Sequence, residues 1–549
     1  MKKTLVSLLL VVMLAMTSLS GLAIYDIPEP YDMPISDGSV PQLVVYMSTE
    51  TGYEKAYLSY DEHVAILGWE EATGMDFTFI HPPTNDDGSF FNSTIASGDL
   101  PDIWITGNWN SYYAGGIEGA INDGILLNLN EYIEKYGYHY LVEAHKNWDA
   151  QAEKNFMTDS GMYRFGAASQ RVPVLGMQHA GMVIREDLLD KLGLDMPETV
   201  DQFHDAMVAM KEAGLVEIPI ALEQLNSWYY SSAFFSNHLG ITTNGMMIGE
   251  DGKVTYAMLE PAYKDWMLMM NAWYNEGLFD EDCISRTHSD AEAMVTSGRS
   301  AVVAIGNWET QEDIAVGKAA CGEDFNLLGM TELAKDEDSI GAENPFCKPI
   351  ENGTNGMYWG ISTTNPNPVE SFKALDWLYS YEGTELMVFG PTESIDMLHP
   401  EKGEVVTIHW TNEDGTRQFS DYMLHNPELE YNSIRYIYTI QNLSSEYASE
   451  MEYMQYGDES NEQCWEAWTK NATNVRTVPS CISLTAEESQ KQAPIRTNIE
   501  SFIWEKIYNI IFGEDSIDNW DGYVQELYGM GLQDWIDIQQ AATDRYWAR

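Results

Sequence analysis

The stretch "SGDLPDIWITGNW" (97–109) decides the architecture. Its middle, "DIWIT", is a short apolar run that reads as a buried strand. Upstream, "QLVVYMS" (42–48) and "MDFTFIHP" (75–82) have the same character, with a helical pattern over 61–73 and another before the third run. Strand, helix, strand, helix, strand predicts an α/β fold with a parallel sheet between layers of helices. In such sheets ligand sites lie just beyond the carboxyl ends of the strands. Gly-Asn-Trp ends this strand and recurs at the end of "SAVVAIGNW" (300–308). Both copies therefore sit where a ligand would be met.

Further along, "MPETVDQFHDAMVAMKEAG" (196–214) is a helix opened by a Thr199/Gln202 capping box and closed by Gly214. The Met and Trp stripe of "AYKDWMLMMNAWYNEGLFD" (262–280) reads as core. Trp69 and Trp104 are likewise expected in the core. The segment 367–390 reads as one helix with Phe372, Leu375, Leu378 and Tyr379 on a single face, and 516–547 as two helices split at Gly529–Gly531.

The chain has 549 residues, enough for two or three domains. It carries 17 Trp, 32 Tyr and a formal charge of -57. Such a chain repels phosphate backbones and anionic membrane surfaces, which excludes nucleic-acid binding as an expectation. Lys2 and Lys3, the apolar run Leu5–Met16 and "TSLSGLA" (17–23) read as a secretory signal peptide over 1–23, cleaved after Ala23. Export to the extracellular space or cell surface is the expected destination. Residues 24–40, rich in Pro and Asp, read as a flexible tether. Leu22 stands where a lipid-anchoring signal needs Cys. Of five cysteines, Cys321 with Cys347 and Cys464 with Cys481 are nearest in sequence, Cys283 being the odd one, and spacing leaves the connectivity open. None sits in a metal-ligating spacing, so no metal and no cofactor are expected.

Five segments in order, 97–109, 181–203, 273–308, 371–390 and 484–507, make the chain resemble the extracellular solute-binding proteins of ABC importers, maltose-binding-protein-like. It is most similar to the large oligosaccharide-type lipoproteins of Gram-positive bacteria. That resemblance implies a two-lobe, type II periplasmic-binding-protein-like α/β fold, with hinge-crossing strands and a ligand cleft between lobes. It divides the chain into lobe 1 (41–167 and 356–398) and lobe 2 (168–355 and 399–549), with crossings near 167–181 and 352–363. It also implies an oligosaccharide ligand, membrane permease subunits as partners, a monomer, and no catalysis. The place where relatives carry a calcium loop reads "KEAGLVEIPIA" (211–221) and lacks the oxygen ligands, so no calcium is expected there.

A sugar has apolar C–H faces and a rim of hydroxyls, so aromatic rings beside planar amides and carboxylates suit it. The loops at the strand ends supply both: Asn108, Trp109, Asn110, Tyr112 and Tyr113 at the first, Asn307, Trp308 and Glu309 at the second. The resemblance adds Gln178, a position that is polar in relatives, and Trp228, Tyr229 and Tyr230, where maltose-type binders keep a cleft aromatic. Tyr358 and Trp359 lie on the second crossing. A peptide or other non-sugar solute remains an alternative ligand on the same fold. A glycoside-active enzyme needs two placed carboxylates, and among 86 Asp and Glu any chosen pair is uninformative.

Overall fold

Leu43–Met47, Phe77–Ile80, Ile103–Thr106 and Tyr358–Ile361 form one four-stranded sheet in the order 358–361, 103–106, 43–47, 77–80. The computed structural model describes residues 25–549 except 50–51, 84–86, 108, 148–149, 167, 170–179, 226–233, 244, 308, 343–352, 355–357, 414, 430, 441–458, 471–475 and 480. The first three strands are parallel, with Leu43 opposite Phe77 and Val45 opposite Ile103, as the βαβ reading predicts. Tyr358–Ile361 runs antiparallel, Trp359 facing Ile105. It is not joined to its neighbour by a crossover helix, so nothing requires it to be parallel.

Helix Val64–Thr73 covers this sheet and buries Ala65, Ile66 and Trp69. It ends at Gly74, whose φ of 67° and position 2.1 Å from Ser36 O, measured from where a Cβ would sit, leave room for no other residue. The 367–390 pattern is two helices rather than one, Pro368–Trp377 and Tyr381–Phe389. Ser380 Oγ accepts from Gly383 N at 2.9 Å and opens the second, while Phe372, Leu375, Leu378 and Tyr379 all remain buried.

A second sheet is three-stranded and wholly antiparallel. Ala180–Arg185 lies between Val302–Gly306 and Leu327–Gly329, with Ala180 opposite Gly306. Gly181 in its central strand lets the Trp468 indole lie against the sheet, because a Cβ there would come within 2.4 Å of that ring, and Trp468 Nε1 donates to Met182 O at 2.9 Å. The large core beside it joins Phe203, Met207, Trp266, Met270, Trp273, Ile503, Ile507 and Trp520, so the Met/Trp stripe is core. Thr199 and Gln202 form the expected capping box, and the C-terminal helices are Trp520–Gly529 and Leu532–Ala548.

Two expectations need correction. Residues after 398 do not all join the second lobe, because Ile408, Phe419, Met423, Ile434 and Tyr438 pack on Tyr57, Val388 and Phe389 of the first. Their apolar face is buried there, and Ile440 N donates to Met387 O. Helix Glu459–Thr469 packs on the second sheet through Trp465 and Trp468. The described part of the expected tether is docked. Tyr31 OH donates to Asp376 Oδ2 at 2.9 Å, Ser36 N donates to Thr73 O, and Tyr25, Ile35 and Val40 lie on the first core. Lastly, Cys464 and Cys481 are not joined to one another, and Cys347 lies outside the described residues.

The C-terminal helix ties the two parts of the chain together. Arg545 and Arg549 both meet Asp159, at 2.6 and 2.7 Å, and Arg545 also pairs with Glu488. Among the described residues, no helix is long and apolar enough to cross a membrane.

Candidate functional site

After Thr106 the chain turns at once into the four-residue helix Trp109–Tyr112. Trp109 is fully buried, its ring edge-on to Phe91 and Trp104 with both centroids at 5.0 Å. Its Nε1 is buried without a hydrogen-bond partner among the described residues. The expectation that this indole faces a ligand therefore gives way to a core role. An indole carries so much apolar area that a neighbouring pocket of Tyr46, Phe91, Trp104 and Ile117 claims it. Asn110 is exposed, Tyr112 is 41% exposed, and Tyr113 is half-buried with its OH donating to Asp123 Oδ2 at 2.9 Å. This rim offers an amide and two rings.

Tyr358 and Trp359 are also core. Tyr358 OH accepts from Arg164 Nη1 at 3.0 Å, and Trp359 packs at 5.4 Å from both Phe165 and Tyr379. Both sit on the strand that completes the first sheet, and their side chains are consumed in covering it. Asn108, Gln178, Trp228, Tyr229, Tyr230 and Trp308 lie outside the described residues.

The second strand end builds a polar cluster. Asn307 is 1% exposed with Oδ1 buried and unpartnered among the described residues. Glu309 turns back on the strand, its Oε2 accepting from Gly306 N at 2.6 Å and lying 3.0 Å from His288 Nε2. His288 begins helix His288–Thr296, fixed there by a Thr287/Asp290 capping box. Glu292, one turn on, has Oε1 3.4 Å from the same Nε2, and Glu223 Oε2 is 3.6 Å from Nδ1. Burial opposes charge on His288, but Glu223, Glu292 and Glu309 outweigh it and raise the imidazole to about 11. Burial, then Glu292, Glu309 and Glu312, push the Asp313 carboxyl up to about 8. At neutral pH the site holds an imidazolium surrounded by carboxylates.

Sequence reading named Glu309 and Asn307 here and missed His288, Glu292 and Asp313. The available signal was a His and a Glu four apart on a capped helix, which places both on one face. What brings them to Glu309 and Glu223 is tertiary, through the strand Val302–Gly306 and its bridge to Ile220. A separate hollow of about 300 Å³ is lined by Asn237, His238, Glu332, Lys335 and Lys470, and burial pushes its Glu332 carboxyl up to about 7.

Residues 61–385 match the family described as bacterial extracellular solute-binding protein. Lipoprotein LipO of Bacillus subtilis is 24% identical over 264 residues, 44% of this chain and 46% of LipO, so that match spans about half the relative's length. The fructooligosaccharide ABC transporter substrate-binding protein FusA of Streptococcus pneumoniae is 21% identical over 527 residues, 89% of this chain and 88% of FusA. The solved FusA complex with kestose superposes with a TM-score of 0.67 at 18% identity, covering 92% of this chain and all of that one. An extracellular solute-binding protein from Bifidobacterium longum subsp. infantis gives 0.69 at 17%, covering 93% and 99%. These likenesses establish the two-lobe, type II binding-protein fold, and with the family match the chain belongs to the bacterial extracellular solute-binding proteins.

Proposed function

We propose that the chain is an exported, monomeric binder that captures an oligosaccharide between its lobes and delivers it to the membrane subunits of an ABC importer, without transforming it. The observation that carries this reading is the pair of polar ends on the two sheets. Asn110, Tyr112 and Tyr113 follow one strand and Glu309 follows the other, while Asn307, only 1% exposed, lies below that surface rather than at the rim where it was expected. Amides and carboxylates in those positions match sugar hydroxyls, and the partly exposed tyrosines match C–H faces. Trp308 joins them as the proposed stacking ring, with Asn108, Gln178, Trp228, Tyr229 and Tyr230 as further contacts. FusA, which aligns over most of the chain, is named for fructooligosaccharides.

Burying roughly 60–100 Å² of sugar surface on one indole is worth about 1.5–2.5 kcal/mol. The Trp308→Ala chain should therefore bind its sugar about tenfold or more weakly in calorimetry while melting as the parent does. Unchanged affinity removes Trp308 from the site. A sugar product appearing during incubation would make the protein an enzyme instead.

A further inference from the structure

We propose that His288, Glu292 and Glu309, with Glu223 behind the imidazole, bind a divalent transition-metal ion of the zinc class. The inference concerns a cation site that shares Glu309 with the proposed sugar rim, and its test reads the ion alone, whatever the transported solute is.

The donor atoms of His288, Glu292 and Glu309 all lie within 4.8 Å of one another. His288 Nε2 is 3.0 Å from Glu309 Oε2 and 3.4 Å from Glu292 Oε1. Donors bound at 2.0–2.1 Å around a tetrahedral ion sit about 3.3 Å apart, so small side-chain shifts suffice, and the ion takes the place of the imidazolium's Nε2 proton, which is released to solvent. Glu223 lies on the other side of the ring, 3.6 Å from Nδ1. From there a small shift lets the carboxylate accept from Nδ1–H while Nε2 faces the metal, the arrangement that orients and strengthens a histidine ligand.

The scaffold is fixed before any ion arrives. The capping box holds His288 at the start of its helix, and Gly306 N holds Glu309. Arg286 Nη1 donates to Leu222 O at 2.6 Å, one residue from Glu223.

Unpartnered buried atoms point to a missing guest. Glu223 is 5% exposed, yet its Oε1 has no hydrogen-bond partner among the described residues. Asn307 and Thr310, close to Glu309 in the chain, are 1% and 0% exposed, and their Oδ1 and Oγ1 have no hydrogen-bond partner among the described residues. Buried oxygens without donors are costly, and a cation with its bound waters supplies what the Glu223 carboxylate beside the imidazole lacks. Three glutamates around one imidazole also leave surplus negative charge that a divalent ion cancels. The donor set selects among cations. One imidazole with two carboxylates at tetrahedral spacing favours zinc or a neighbouring transition metal, whereas calcium takes six to eight oxygens.

The test titrates zinc chloride into the EDTA-stripped mature chain at about 0.15 M salt, where loose binding to an acidic surface is screened. One zinc per chain is expected, retained through gel filtration, with calcium and magnesium chloride at least tenfold weaker. His288→Gln and Glu292→Gln should each weaken zinc at least tenfold. Cobalt(II) bound to the unaltered chain should show the intense visible bands of four- or five-coordination, a readout that needs no variant to fold. Three results overturn the proposal: no stoichiometric zinc on the unaltered chain, variants that melt normally and bind as tightly, or a cobalt spectrum like that of the hydrated ion.

Discussion

Replacing Trp109 by alanine and by phenylalanine separates a core indole from a ligand platform. The ring is fully buried. An indole of this kind removes about 150–250 Å² from water, worth about 4–6 kcal/mol at 25 cal/mol/Å². Edge-on contacts to Phe91 and Trp104 add to this. Allowing for partial collapse, Trp109→Ala should cost about 3–5 kcal/mol in urea unfolding. Trp109→Phe should cost much less, below about 1.5 kcal/mol. It keeps a ring in the pocket and discards an Nε1 that is buried without a partner among the described residues, an arrangement that itself costs about 1–3 kcal/mol. Sugar affinity of the phenylalanine chain should stay within a factor of about three. Equal stability losses for both substitutions, or a phenylalanine chain that is stable but no longer binds, would refute the core assignment.

Other perturbations read other parts of the structure. Asp159→Ala leaves the guanidinium of Arg549, whose side chain is 2% exposed, without its carboxylate, and should lower stability by about 3 kcal/mol and expose the C-terminal helix to proteolysis. His63 is buried, accepting from Ala65 N on Nδ1 and facing Tyr436 O through Nε2, and burial lowers it to about 4. Its neutral form is the one the fold favours, so the stabilisation is complete above pH 6.5 and is lost as pH falls through about 4. That amounts to about 3 kcal/mol, and the loss should be absent in a His63→Gln chain that still folds. Gly74→Ala should cost well over 1 kcal/mol, since φ is 67° and the new Cβ would meet Ser36 O.

Local pattern carried much of the fold. The parallel strands 43–47, 77–80 and 103–106 follow from apolar runs alternating with helices, and the Thr199 cap from its own four residues. Long-range packing was less legible. Nothing in 399–440 announces that Ile408, Phe419 and Tyr438 will find Val388 and Phe389 rather than the second lobe. Pro-rich 25–40 looked unstructured because its anchors, Tyr31 and Ile35, are sparse and their partners are distant in sequence. Which residues reach the surface at the strand ends was legible only in part, for a physical reason. The residues just past a strand end point to where a ligand would be met, and of those Asn110 and Tyr112 are exposed while Asn307 is not. The same rule cannot tell a rim indole from one that folds back, as Trp109 does, nor foresee that Glu309 would meet His288.

Capture of a saccharide is tested most directly by calorimetric titration of the purified mature chain with a panel of oligosaccharides, kestose among them, followed by chromatography of the recovered ligand. One sugar should bind with a single stoichiometric transition and be recovered intact, and its affinity should fall about tenfold or more in Trp308→Ala. A folded chain that ignores every saccharide while binding peptides, or that returns shortened sugars, would contradict the account.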